Sequence, residues 1–117
     1  MQKRLTDVVL TALEEMKGHN IVILDVIGKT SVTDYMVIVT GTSERHVKSL
    51  ADAVIQQSKR AGTAPLGVEG EQAADWIVVD LGEAVVHVML PQTRDFYNLE
   101  KLWSVMEMAT EASASAP

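Results

Sequence analysis

The chain has 117 residues, enough for one domain with a single buried core and too few for two. With 47% hydrophobic and 22% charged residues it has the composition of a chain that folds. Ten Lys and Arg against 16 Asp and Glu leave a formal net charge of −6, which repels phosphate backbones and favours a basic partner, and the lack of cysteine excludes disulfides, thiolate catalysis and Cys-ligated zinc.

The opening MQKRLTDVVLTALEEMKG starts basic, but Asp7, Glu14 and Glu15 interrupt its apolar residues and no small-residue cleavage site follows, so it does not read as a signal peptide. No stretch approaches the roughly 18 uninterrupted apolar residues of a membrane span. A cytoplasmic protein with no membrane partner is the economical expectation. Leu5, Val9, Ala12, Leu13 and Met16 fall at helical spacing, which predicts a first helix over 5–16 stopped by Gly18. IVILDVIG (21–28) and DYMVIVTG (34–41) are β-branched runs ending at glycine, two strands joined through Lys29, Thr30 and Ser31.

After Gly41, Val47, Leu50, Ala51, Val54 and Ile55 form one stripe of a second helix, with Thr42 or Ser43 as its cap and Gly62 at its end. Lys59 and Arg60 in its last turn complement the helix dipole. TAPLGVEGE, punctuated by Pro65, Gly67 and Gly70, is a loop or a short edge strand. DWIVVDL (75–81) and AVVHVML (84–90) flank Gly82 and Glu83 as a hairpin, and Pro91 ends the second strand. Phe96, Leu99, Trp103 and Met106 line one face of a last helix that follows Asp95, and EASASAP is a frayed tail. The order predicts a single α/β (α+β) domain over 1–106, with a mixed sheet of about five strands, flanking helices, and a disordered tail over 107–117.

A tight turn fixes the hairpin register: Leu81 faces Ala84, Asp80 faces Val85, Val79 faces Val86, Val78 faces His87, Ile77 faces Val88 and Trp76 faces Met89. One face is then wholly apolar, with Ile77, Val79, Leu81, Ala84, Val86 and Val88, and helices should cover it. The other mixes Trp76, Met89, Val78 and Val85 with His87 and Asp80. Trp and Met are enriched where proteins meet proteins, and Glu69, Glu71, Asp75, Asp80 and Glu83 cluster nearby, which reads as a docking face for a Lys/Arg-rich partner. The alternative is that another helix of the domain covers this face, leaving Asp80 and His87 at its edge.

No catalytic, cofactor-binding or metal-ligating constellation emerges. His19, His46 and His87 come from separate elements without metal-ligand spacing. GTAPLG (62–67) lacks the Lys and Ser/Thr of a phosphate loop, and TGTSERH reads as anion site or as plain helix cap. No strand carries two carboxylates two residues apart, as Mg²⁺-dependent nucleotidyl transfer would require.

SVTDYMVIVTGTSERHVKSLADAV (31–54) and PLGVEGEQAADWIVVDLGEAVVHVMLPQTRDFYNLEKLW (65–103) resemble the bacterial ribosomal silencing factors, the RsfS or Iojap family. The likeness covers roughly Leu5 to Trp103 and rests on T-G-T-S-x-R-H, G-x-E-G, the A-D-W-I-V-x-D hairpin and L-E-x-L-W taken together. It implies a fold similar to nucleotidyltransferases without their activity. It also implies binding to the large ribosomal subunit through its ribosomal protein fourteen, so that the small subunit is blocked by occupancy in nutrient limitation or stationary phase. Related organelle proteins act in large-subunit assembly. Trp76, Leu81 and Met89 match hydrophobic interface positions of the family, and Asp75, Asp80 and Glu69 match acidic ones, with His87 on the same hairpin face. The register and the resemblance disagree on Leu81, which the first turns towards the helices and the second towards the partner. A free protein with such a face could also pair as a homodimer.

Overall fold

Helix α1 (Leu5–Glu15) forms because Leu5, Val9, Ala12 and Leu13 return to one side and are buried there. The computed structural model describes residues 4–101. Met16, expected on the same stripe, is instead the C-cap residue and lies exposed. Lys17 turns to positive φ and the Gly18 N–H reaches back to the Leu13 carbonyl at 2.8 Å. A side chain at Gly18 would meet Val39 and Leu50, so the glycine lets the chain pass close under the sheet.

Strand β1 (His19–Asp25) begins and ends earlier than the β-branched run suggests. The Asp25 carboxylate accepts the Ile27 N–H at 3.0 Å and Gly28 adopts φ +78°, so the chain is already turning where strand was expected. Strand β2 (Tyr35–Thr40) follows antiparallel to β1. Helix α2 (Glu44–Arg60) buries Val47, Leu50, Ala51, Val54 and Ser58. Its cap is Ser43, whose hydroxyl accepts the His46 N–H at 3.1 Å, while Ile55 is half-buried at the margin of the stripe.

The punctuated segment is a short edge strand after all, β3 (Gly67–Glu69), paired with β4 (Trp76–Asp80). Strand β5 (Ala84–Met89) completes the hairpin in the expected register, from Trp76 opposite Met89 to Asp80 opposite Val85. The Leu81 N–H bonds the Ala84 carbonyl at 2.9 Å, and the Asp80 carboxylate accepts the Gly82 N–H, closing a tight turn with Gly82 at φ +83°. The sheet order is β1-β2-β5-β4-β3, antiparallel except for the central β2–β5 pair.

The sheet carries two apolar faces. Val37, Val39, Ile77, Val79, Val86 and Val88 pack against α1 and α2. Met36, Ile38, Val85 and Met89 point to the opposite side, with Val26, Leu24, Leu99, Val78 and Trp76 around them.

Helix α3 (Pro91–Tyr97) corrects the expected last helix. Pro91 ends β5 and also opens a helix, because its fixed φ and missing N–H suit the first helical turn. Asn98 then takes a left-handed conformation, φ 47° and ψ 57°, and stops it. The Asn98 side chain accepts the Lys101 N–H, so the same residue caps the helical turn resumed over 99–101. Phe96 therefore lies before the break and stands exposed rather than lining a core face. Trp103, Met106 and the tail at 107–117 lie outside the described residues.

Candidate docking surface

Directly opposed residues in neighbouring strands share a face, so the pairing places Glu69, Val78, His87 and Ile38 in one row across the sheet. Gly67, Asp80, Val85 and Met36 form the next row, and Trp76 and Met89 flank the row on its other side. The rows run from a buried centre at Ile38, Met36 and Met89 to a half-buried margin at Val78, Trp76 and Asp80. The mixed face is therefore covered on its β2 side and open along β4.

Trp76 occupies that open margin, half-buried, with its indole held from two sides. Its ring N–H donates to His87 Nδ1 at 3.0 Å, and its ring centroid lies 4.7 Å from that of Tyr97. Because Nδ1 accepts, the imidazole proton sits on Nε2. Burial pushes the His87 pKa down from 6.5 to about 4, so the ring is neutral at pH 7 and keeps its acceptor. The indole thus arrives at the surface with its N–H already satisfied, leaving an apolar ring to offer.

Two of the expected contact residues are buried within the monomer. Met89 is fully buried, 0% exposed, in the second core cluster, and Leu81 is 4% exposed and packs with the helices as the register requires. The disagreement over Leu81 resolves in favour of the register: the strand end does not twist it outwards. Neither side chain is open to a partner in this conformation; Met89 packs in the same cluster as the indole. Of the acidic positions, Asp75 and Glu69 are exposed, while Asp80 is half-buried with one oxygen engaged by the turn.

Gly70 explains why the loop before β4 needs glycine. At φ +90°, a Cβ there would overlap the Trp76 carbonyl oxygen, so the loop presses against the first residue of the strand. Phe96 was not legible as a surface residue, because apolar spacing alone assigns it to a helix core, and Tyr97 falls outside that stripe. They are 82% and 53% exposed, with ring centroids 5.0 Å apart.

His46 and Arg94 are engaged within the monomer. His46 Nδ1 accepts the Thr42 N–H at 2.9 Å and Nε2 donates to the Met16 carbonyl at 2.8 Å, which makes TGTSERH a helix cap that also pins α1. A cleft lined by His19, Asn20, Thr40, Thr42, Arg94 and Glu100 opens beside it. Its guanidinium is already engaged: Arg94 donates to Glu100 at 2.7 Å, the Asn20 carbonyl at 2.7 Å and the Thr40 hydroxyl at 2.8 Å. Among the described residues no three His, Asp or Glu side chains gather as a metal site, and no helix is long and apolar enough to cross a membrane.

Residues 1–116 match the family model described as "Ribosomal silencing factor during starvation". A protein of Haemophilus influenzae named ribosomal silencing factor RsfS is 50% identical over 100 residues, which are 86% of this chain and 98% of that protein. A mouse protein named "Mitochondrial assembly of ribosomal large subunit protein 1" is 36% identical over 102 residues, 85% of this chain but 45% of the relative. A crystal structure of a Chromobacterium violaceum protein superposes with a TM-score of 0.85 at 41% identity, covering 89% of this chain and 87% of the other. Sequence and fold agree along nearly the whole described length: the chain belongs to the ribosomal silencing factor family.

Proposed function

We propose that this protein is a cytoplasmic translation repressor that binds the large ribosomal subunit through its ribosomal protein fourteen and keeps the small subunit from joining, as a response to nutrient limitation or stationary phase. It acts by occupancy, without chemistry, cofactor or metal. The observation that carries the reading is the Trp76 indole, braced by Tyr97 and His87 yet partly open to water on a face that also carries Glu69 and Asp80, with exposed Asp75 preceding it in the chain. An acidic protein approaches a particle coated in RNA only where a basic protein presents itself, and a fixed aromatic ring then supplies the affinity. The names of the bacterial relatives agree with this reading.

Light scattering during subunit joining tests it. The wild-type protein is expected to inhibit joining, and Trp76→Ala to bind the large subunit more weakly by about 2 kcal/mol or more. Circular dichroism and a melting curve separate lost binding from lost fold. If the folded variant inhibits as well as wild type, the reading is wrong. A second reading, assembly of the large subunit, is favoured by the name of the mouse relative and uses the same surface. Accumulation of immature large particles in cells lacking the protein, under rapid growth, would distinguish it. When the surface is unoccupied, a second copy could cover it, and sedimentation across concentrations reads that homodimer directly.

A further inference from the structure

We infer that Phe96 and Tyr97 extend the Trp76 surface into one aromatic ridge that docks a protein partner whose apolar contact patch is rimmed by lysine and arginine. The inference rests on the proposed reading of Trp76 and adds a second contributing element, α3. The three rings are continuous: Trp76 and Tyr97 centroids are 4.7 Å apart at 49°, and Tyr97 and Phe96 are 5.0 Å apart at 77°. Burying a phenylalanine side chain is favourable, and the monomer forgoes most of that gain at Phe96, which is 82% exposed.

The ridge is held rather than loose. Arg94, one turn before Tyr97, ties α3 to the Asn20 carbonyl of β1 and the Thr40 hydroxyl of β2, and reaches across the Asn98 break to Glu100. Three anchors on one guanidinium fix the helix, and the left-handed Asn98 ends it immediately after the aromatic pair. Two rings presented on a fixed turn lose little conformational freedom when a partner covers them.

Charge selects the occupant. Glu69 and Asp75 are exposed beside the Trp76 end and Asp80 is half-buried there, while Asp95 is exposed next to Phe96. Of the cations in the α3 segment, Arg94 is consumed by its internal partners and Lys101 faces water. With a net charge of −6 over the chain, this apolar strip edged by carboxylates complements a basic protein and repels nucleic acid.

The test is Phe96→Ser, a substitution at an exposed site expected to leave the circular dichroism and melting temperature unchanged. Equilibrium binding of labelled protein to purified large subunits, and to isolated ribosomal protein fourteen, is measured for wild type, Phe96→Ser and Trp76→Ala. Phe96→Ser is expected to weaken both by about 10-fold or more. If it binds as wild type while Trp76→Ala fails, α3 is not part of the surface and the inference is overturned, with the Trp76 reading intact. If both variants bind as wild type, both readings fall. If Phe96→Ser abolishes self-association in sedimentation but leaves subunit binding unchanged, the ridge belongs to a second copy and the stated partner is wrong.

Discussion

His87 can accept the Trp76 N–H only while its Nδ1 is unprotonated, which ties the indole to pH. Its pKa is about 4 in the folded chain and 6.5 as the ordinary value, so between those limits the unfolded chain binds more protons. Stability contributed by the neutral ring is therefore fully present above pH 6.5 and is lost as pH falls towards 4. His87→Asn, whose amide oxygen can stand near the Nδ1 position and does not titrate, should remove this component. Urea unfolding at pH 7.5 and 4.5 is expected to show wild type losing on the order of 2 kcal/mol more than His87→Asn. Equal losses would mean that the folded chain does not hold this ring neutral. The opposition of Val78 and His87 is legible in the sequence, because turn length sets register. The Trp76–His87 bond is not, since it joins diagonal neighbours and depends on side-chain rotamers that no residue pattern encodes. Met89 shows the same limit: its strand position is legible, but its burial depends on what covers the face from Val26 and Leu99.

The elements obey local rules wherever one rule acts alone. Helix α2 has its cap, its stripe and its basic last turn, and all are readable. Two signals overlap in α3. Pro91 reads as a strand stop and is equally a helix start, and the apolar spacing from Phe96 to Leu99 continues through Asn98, whose left-handed turn breaks the helix. A helical period cannot reveal a single residue in that conformation. The loop before β4 makes a stronger demand. Gly70 combines positive φ with contact against the Trp76 carbonyl, so Gly70→Ala must both strain its own backbone and push β4 away. Its cost is expected to be on the order of 2 kcal/mol or more in thermal or urea unfolding, with Trp76 displaced in the process. A melting temperature equal to that of wild type would show that the loop does not press on the strand.

At the scale of the whole molecule, the proposed docking divides between approach, driven by charge, and retention, by the aromatic ridge. Opposite charges accelerate encounter, and salt screens them with a Debye length of about 10 Å at 0.1 M. Stopped-flow association with the large subunit is therefore expected to slow by about 10-fold or more from low salt to several tenths molar. Dissociation should change little with salt and rise sharply in Trp76→Ala. Salt-independent association would remove the electrostatic part of the reading. The overall architecture was legible as a mixed sheet with helices, but its strand order was not, because the parallel β2–β5 pair joins segments separated by α2, β3 and β4. That pairing governs how the molecule comes into being. The central strand is the last of the five to be synthesised, so β2 and β4 wait with open edges until Ala84–Met89 arrives between them. Without those six residues β1–β2 and β3–β4 are two separate two-stranded ribbons, so the five-stranded sheet can close only once the C-terminal strand of the hairpin has been made.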